Sequence, residues 1–386
     1  MKRMLMMATT AAMIEQFNEN NILILEEMGY EVHVAGNFKE GNPISEERLE
    51  QFKEWLTQHN GKWFHIPSTR KPTDINNVKA YKQIINLIKE YKYEFIHCHT
   101  PIGSVIARCA AHKTHTPIIY TAHGFHFYKG APIKNWLIYY PVEKFLSRWT
   151  DVLILINKED YERAKNVFHA KRTYYIPGVG IDIKKYSDLK NKEEINRKRT
   201  DLGLKENDFV ILSVGELIPR KNHEVVIKAI AKLNAANKAQ NIKYLICGKG
   251  RLLEKLKSDS IKLKIQDKVF FLGYRTDVNE ICNCSDVFAF MSKQEGLSVA
   301  LMEAMASGLS VICSDIRGNS DLIINNKNGM LIQNNVNELA NAIEIFHNNE
   351  KIRVEYAEAA RKCIEKYSLH NISEEMRRIY NQYARN

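Results

Sequence analysis

The sequence contains no apolar run approaching the roughly 18 residues that a membrane-spanning helix needs, so no segment reads as a transmembrane helix. No Cys-x-x-Cys pair occurs among its seven cysteines, which argues against a zinc ribbon. An odd, scattered set from Cys98 to Cys363 fits single buried thiols in a reducing compartment. There is no Asp-x-Asp anywhere and no short-period repeat. The opening MKRMLMMATTAAM mimics a leader peptide, but Thr9 and Thr10 interrupt its apolar run and Glu15 follows closely. A buried first strand is the expectation there. The Asn-rich stretch near 325–349 is too mixed to read as disordered.

What is present is ordinary for a globular chain: 45% apolar and 26% charged residues over 386 positions, enough for two domains. The net charge of +11 suits an anionic partner (nucleic acid, a phosphorylated metabolite or an acidic membrane surface), or else a solvated basic face. Short apolar runs alternate with helical patterns. Strands are expected at Met4–Ala8, Glu31–Ala35, Lys62–Ile66, Glu94–Cys98, Pro117–Thr121, Val152–Ile156 and Thr173–Ile176. A second set follows at Phe209–Val214, Lys243–Cys247, Val269–Leu272, Val287–Met291 and Ser310–Ser314. Helical stretches such as Met13–Met28, Asp74–Tyr91 and Asn222–Ala235 lie among them. This alternation predicts an α/β protein with two Rossmann-like, doubly wound parallel sheets facing a central cleft. The charge-dense, apolar-poor stretch 184–207 is the expected boundary, giving domains 1–190 and 191–366. A helical end, 367–386, is expected to pack back on the first domain.

Three segments carry chemistry. In EGLSVALMEAMASG a loop leads from a strand into a helix that Gly308 stops, so main-chain N–H groups of Gly296, Leu297, Ser298 and Val299 should face outward. With the helix dipole they form a phosphate site. Glu295 and Glu303 flank it, separated by roughly 12 Å along a helix axis at about 1.5 Å per residue. That spacing suits hydroxyls on both sides of a diphosphate, as in a nucleotide sugar; a dipole-complementing acid plus a solvated surface acid explains it equally well. In SVGELIPRKNHEVVIKAI, Arg220 and Lys221 sit in a strand-to-helix loop where cations can neutralise a departing diphosphate. GKG at 248–250 also follows a strand.

Together these segments resemble the retaining glycosyltransferases of family 4, which have the two-domain GT-B fold. The resemblance rests on the Glu-x7-Glu pattern in EGLSVALMEAMASGLSVICSD, on VGELIPRKN, CGKG, FLGYRTDV and CSDVFAFMSKQEG, and it spans nearly the whole chain. YEFIHCHTPIGSVIARCAA and IIYTAHGFHFYKGAPIKNWLIYYPVEKFLSRW are similar to a bacterial branch that builds capsular and extracellular polysaccharides. The resemblance implies a hexosyl or N-acetylhexosaminyl transferase acting on a nucleotide sugar, with UDP favoured over GDP. Glu295 and His123 would work at the transferred sugar and Glu303 at the ribose. Gly296, Leu297, Ser298, Lys221 and Arg220 would bind the diphosphate, and the backbone around Tyr274 and Arg275 the base. Thr10, His99 and His126 would lie on the acceptor side. Glu216 stands where many relatives carry arginine, ATTAA replaces a glycine-rich first loop, and Lys249 replaces a common acid. No cofactor or metal is expected, since the absence of Asp-x-Asp removes the metal-dependent donor clamp of the other glycosyltransferase fold. The expected partners are the donor and a lipid-linked saccharide acceptor, with no nucleic acid. The expected location is the cytoplasm, with a peripheral site on the inner face of the cell membrane left open.

Other readings stay open on the residues alone. His97 and His99 share one strand face, which a metal-dependent hydrolase would use. The basic charge fits nucleic-acid binding, though no recognised motif accompanies it. A nucleotide-sugar epimerase shares the two-domain architecture. The aromatic and basic stretch 126–149 fits a lipid headgroup interface or a helix packed on the first domain with a basic outer face.

Overall fold

The computed structural model describes residues 2–188, 191–238 and 240–383. They form two compact units, 1–179 with 370–386, and 180–369. The first holds strands β1 (Lys2–Thr10), β2 (Tyr30–Asn37), β3 (Lys62–His65), β4 (Phe95–His99), β5 (Ile118–Ala122), β6 (Val152–Leu155) and β7 (Arg172–Tyr175). Their spatial order is β3-β2-β1-β4-β5-β6-β7, all parallel. The second holds β8 (Phe209–Val214), β9 (Ile242–Cys247), β10 (Val269–Gly273), β11 (Val287–Phe290), β12 (Ser310–Ser314) and β13 (Met330–Ile332). These run β10-β9-β8-β11-β12-β13, again parallel.

Both orders reverse direction once, between β1 and β4 and between β8 and β11. Helices on the two sides of such a switch diverge, which opens a crevice past the strand C-termini. Helices cover both faces of the first sheet. On β1, Met4, Met6 and Ala8 pack into one apolar layer and Leu5 and Met7 into the other. A strand covered on both sides must be apolar throughout, which explains why MLMMA reads as a leader.

Four features differ from the sequence expectation. The stretch Met13–Met28 is two helices, Ala11–Phe17 and Glu19–Glu27, because Asn18 takes a non-helical φ of −132° and its amide turns back toward the Met13 carbonyl. The units part at Val179/Gly180 rather than at 190/191. Ile181 exchanges backbone hydrogen bonds with Tyr367 and Leu369, which ties this stretch to the second unit. The charge-dense segment 184–207 is not a linker: it contains helices Ile183–Ser187 and Lys192–Asp201. The latter opens with a capping box of Asn191 and Glu194 and is pinned by Lys198 to Asp277 and Glu280. Strand β13 was not foreseen, since three residues carry too little periodicity to read.

The closing helix Leu369–Asn381 belongs to the first unit. Its Ile372, Met376, Ile379 and Tyr380 enter the same core as Phe95 and Ile119. Residues 384–386 of the expected C-terminal helix lie outside the described residues.

Candidate functional site

In the second unit, the loops leaving β8, β9 and β10 are knitted together by their main chains. Gly215 N–H donates to Cys247, Leu217 to Lys249, and Gly248 to Gly273, at 2.7–2.9 Å. The GKG turn is therefore glycine for steric reasons: a Cβ on Gly248 would sit 2.0 Å from the Gly215 carbonyl, and one on Gly250 2.5 Å from that of Leu217. The loop after β8 is also tied to the loop after β11, with the Lys293 N–H on the Arg220 carbonyl at 2.8 Å.

This bracing brings Arg220, Lys221 and Glu295 together. Glu295 Oε1 accepts from Lys221 Nζ at 2.7 Å and from Arg220 Nη1 at 3.0 Å. The Lys221 ammonium also lies 4.8 Å from the Phe290 ring centre. Burial lowers the Lys221 pKa, the Glu295 carboxylate opposes that, and Arg220 adds to it. The sequence reading assigned Glu295 to the sugar and the cations to the phosphates; here the acid and both cations form one cluster.

The helix beyond runs Val299–Ala306, capped by Ser298 Oγ on the Leu301 N–H at 3.3 Å. Among the described residues, the N–H groups of Gly296, Leu297, Ser298 and Val299 meet no protein acceptor. The segment after β12 supports the loop from behind: Arg317 Nε donates to the Glu295 carbonyl at 3.1 Å, and Gly318, at φ +83°, lies against the Gly296 carbonyl.

Glu303 is held by Tyr186, whose hydroxyl donates to Oε1 at 2.6 Å. Burial raises the Glu303 pKa, against that hydrogen bond. Tyr186 escaped the sequence reading because its helix looked like linker. The Arg275 guanidinium grips Asp277, with Nε at 2.7 Å from Oδ1, while the Tyr274 side chain is exposed.

The first unit presents a second cluster at its switch point. His97 spends both ring nitrogens, on Tyr380 and Thr121 hydroxyls at 2.8 Å each. His99 Nδ1 meets His123 Nε2 at 3.1 Å, and His99 Nε2 is buried without a hydrogen-bond partner. The His97 and His99 rings are 4.2 Å apart. With its nitrogens taken, His97 has no lone pair to give a metal. Among the described residues no group of three His, Cys, Asp or Glu side chains is arranged to hold one.

After β4, Thr100 adopts φ +64°, ψ 149°, a region nearly reserved for glycine. Thr9 holds it there, with N–H and Oγ1 contacts to Thr100 Oγ1 at 2.9 and 2.7 Å. Thr10, the neighbour chosen from sequence, is buried at the end of β1 and makes no side-chain cap bond to the helix that follows. The His126 ring stacks on Tyr139 at 4.6 Å.

Burial pushes the pKa of His97 down to about 3 and that of His99 well below the usual histidine range. Both stay neutral in the folded protein at pH values where the unfolded chain takes up protons, so stability falls as pH drops below about 6.5. Each such histidine contributes a slope of about 1.4 kcal/mol per pH unit between its unfolded and folded pKa. Urea midpoints at neutral and at mildly acid pH measure this, and an unchanged midpoint would contradict the assignment.

The comparisons with known proteins follow the same two halves. A family profile described as "Glycosyl transferase 4-like" matches residues 12–157, and one described as "Glycosyl transferases group 1" matches residues 194–363. A protein of Bacillus subtilis (strain 168) named "Putative glycosyltransferase EpsD" is 35% identical over 99% of this chain and 97% of its own. An Escherichia coli protein named "UDP-Gal:alpha-D-GlcNAc-diphosphoundecaprenol alpha-1,3-galactosyltransferase" is 31% identical over 72% of this chain and 73% of its own. Among solved structures, Anabaena Alr3699/HepE in complex with UDP and glucose has the same fold, with a TM-score of 0.79 at 18% identity over 99% of this chain and all of its own. Matched by these profiles in both halves and by relatives along most of its length, the chain belongs to the group 1, family 4 glycosyltransferases and is an enzyme of the GT-B fold.

Proposed function

We propose that this enzyme moves a sugar from a UDP-sugar to a hydroxyl of a lipid-linked saccharide during surface polysaccharide assembly, with retention at the anomeric carbon. The carrying observation is the cluster in which Lys221 and Arg220 converge beside the open N–H groups of 296–299. Its charge fits a diphosphate leaving group. The names of the two relatives, one for a UDP-sugar and a diphosphoundecaprenol acceptor, support the substrate class.

In this reading the acceptor oxygen bonds to the anomeric carbon on the face where the carbon–phosphate oxygen bond breaks. The acceptor proton passes to the departing phosphate oxygen, so no separate base is needed. Lys221, Arg220 and the N–H groups of Gly296, Leu297 and Ser298 take up the charge, with no divalent ion in the step. Arg220 supplies the second cation in a loop that carries Glu216. As the cations turn to the phosphates, Glu295 is released to accept from the sugar. Glu303, positioned by Tyr186, accepts from the ribose, and the main chain at Tyr274 and Arg275 holds the base. His123 hydrogen-bonds at the reacting sugar, with Thr10, His99 and His126 on the acceptor side.

His123→Ala and Glu295→Ala are each expected to lower turnover about a hundredfold while the protein stays folded. Product NMR should show the anomeric configuration of the donor, and EDTA should leave the rate unchanged. Near-normal turnover in both variants, or a rate abolished by EDTA and restored by a divalent ion, would overturn the proposal.

A further inference from the structure

We infer that His99 fixes the proton of His123 on Nδ1, so that His123 meets the transferred sugar as a hydrogen-bond donor and is barred from acting as a base. The two histidines stand at the C-terminal ends of neighbouring strands. His99 closes β4, opposite Thr121 of β5, and His123 follows one residue beyond β5. Their rings meet through His99 Nδ1 and His123 Nε2 at 3.1 Å. The His97 ring packs against His99 at 4.2 Å, with its own nitrogens anchored to Tyr380 and Thr121. Thr9 pins the end of the strand by holding Thr100 at φ +64°. His123 is half-buried, and among the described residues its Nδ1 meets no protein partner. Nδ1 is therefore the ring nitrogen left to a ligand.

Counting protons decides the direction of the bond. Burial pushes the pKa of His123 down to about 4 and that of His99 well below the usual histidine range, so each ring carries a single N–H at neutral pH. One proton lies between them, and its owner dictates the state of both remaining nitrogens. If His123 Nε2 donates, His99 must carry its own proton on Nε2, an N–H buried with no protein acceptor. If His99 Nδ1 donates, its Nε2 keeps a bare lone pair and the His123 proton sits on Nδ1. The second arrangement costs less, because an orphaned buried N–H is rarer in folded chains than an under-satisfied acceptor. The surroundings of His99 agree. Ile154, Ile156, Ile176, Ile372 and Met376 form much of the wall of the small cavity that it lines, and the Thr121 hydroxyl there is taken by His97. The unmet Nε2 is thus the consequence of a fixed tautomer. His123 then has no lone pair to spare, which agrees with a proton passing to the departing phosphate oxygen. His99 is a positioning residue that acts through His123. The role of His123 at the sugar rests on the function proposed above, whereas the tautomer does not.

Imidazole nitrogen NMR of the full chain, isotope-labelled at its histidines, reads the tautomer directly. The His123 signals are assigned by their loss in His123→Ala, and in the wild type they should show Nδ1 protonated and Nε2 bare. In His99→Leu, which cannot donate, the two tautomers should mix. Its kcat should fall about 10–100-fold, by analogy with partners that orient metal-bound histidines. UDP lacks the transferred sugar, so its affinity should stay within about threefold of wild type. A wild-type His123 protonated on Nε2 overturns the inference, since His99 Nε2–H would then have found a partner in the cavity. So does wild-type kcat in a folded His99→Leu enzyme, or a loss of UDP affinity as large as the loss of rate, the mark of a structural role. If His99→Leu does not fold, the wild-type spectrum decides alone. Near-normal turnover in His123→Ala would overturn the proposed reaction, and the spectrum tests the tautomer either way.

Discussion

Replacing Lys221 with alanine is expected to lower kcat/KM for sugar transfer by about 10²–10³-fold, the loss typical when a preorganised charge aimed at a leaving group is removed. The structure shows why this lysine in particular should matter. Its stem lies over Gly215, where a Cβ would come within 3.3 Å of Lys221 Cδ, and its ammonium is fixed between Glu295 and the Phe290 ring. Burial works against its charge, so the fold keeps a cation here at a cost that a surface lysine would not incur. Fold stability should change little, because Arg220 still pairs with the same Glu295 oxygen after Lys221 is gone. Lys221→Arg should recover part of the rate, restoring the charge but with a planar group in place of a compact one. Calorimetric titration with UDP separates binding from chemistry. A Lys221→Ala enzyme within about threefold of wild type in both affinity and turnover would place the diphosphate elsewhere.

The sheets were legible because strands buried on both faces are written as uninterrupted apolar runs: Phe209–Val214 and Ser310–Ser314 coincide with β8 and β12. The alternation predicted doubly wound sheets and so a reversal of strand order in each, but not that it falls at β1/β4 and β8/β11, since pairing partners are set by tertiary packing. Yet that reversal explains why the chosen residues gather where they do. Motif spacing found Glu295, Arg220 and Lys221 separately. It could not show the acid and the cations sharing one oxygen across 74 positions of chain. Tyr186 and Arg317 were missed for a related reason: each acts by holding a loop or a carboxylate, and holding residues have no characteristic neighbours in sequence. Charge density misled at Lys192–Asp201, where Lys198 is tied to helix Val278–Asn283 and Arg199 to nearby carbonyls, while Lys192 and Arg197 stay exposed.

Arg108→Ala should destabilise the first unit by about 3–5 kcal/mol, the range for breaking a buried ion pair by removing one partner. The Arg108 side chain is 1% exposed and that of Glu143 8%. Arg108 donates to Ser104 Oγ at 2.9 Å and to Glu143 Oε2 at 2.8 Å, with the Tyr120 ring 4.4 Å from the guanidinium. Without the arginine, a carboxylate remains where water cannot replace its partner. The apparent melting midpoint should drop by roughly 10 °C, at about 2–4 °C per kcal/mol for a unit of this size. Glu143→Ala should do comparable damage from the other side, leaving a buried cation. The combined change Arg108→Met with Glu143→Leu should regain most of the loss, because both desolvation penalties vanish together while the volume stays filled. A double variant as unstable as either single one would show that geometry at this site depends on the charges themselves. The pair also sets the orientation of the helix Ile133–Leu146, since Glu143 is its one acid and is drawn inward by Arg108.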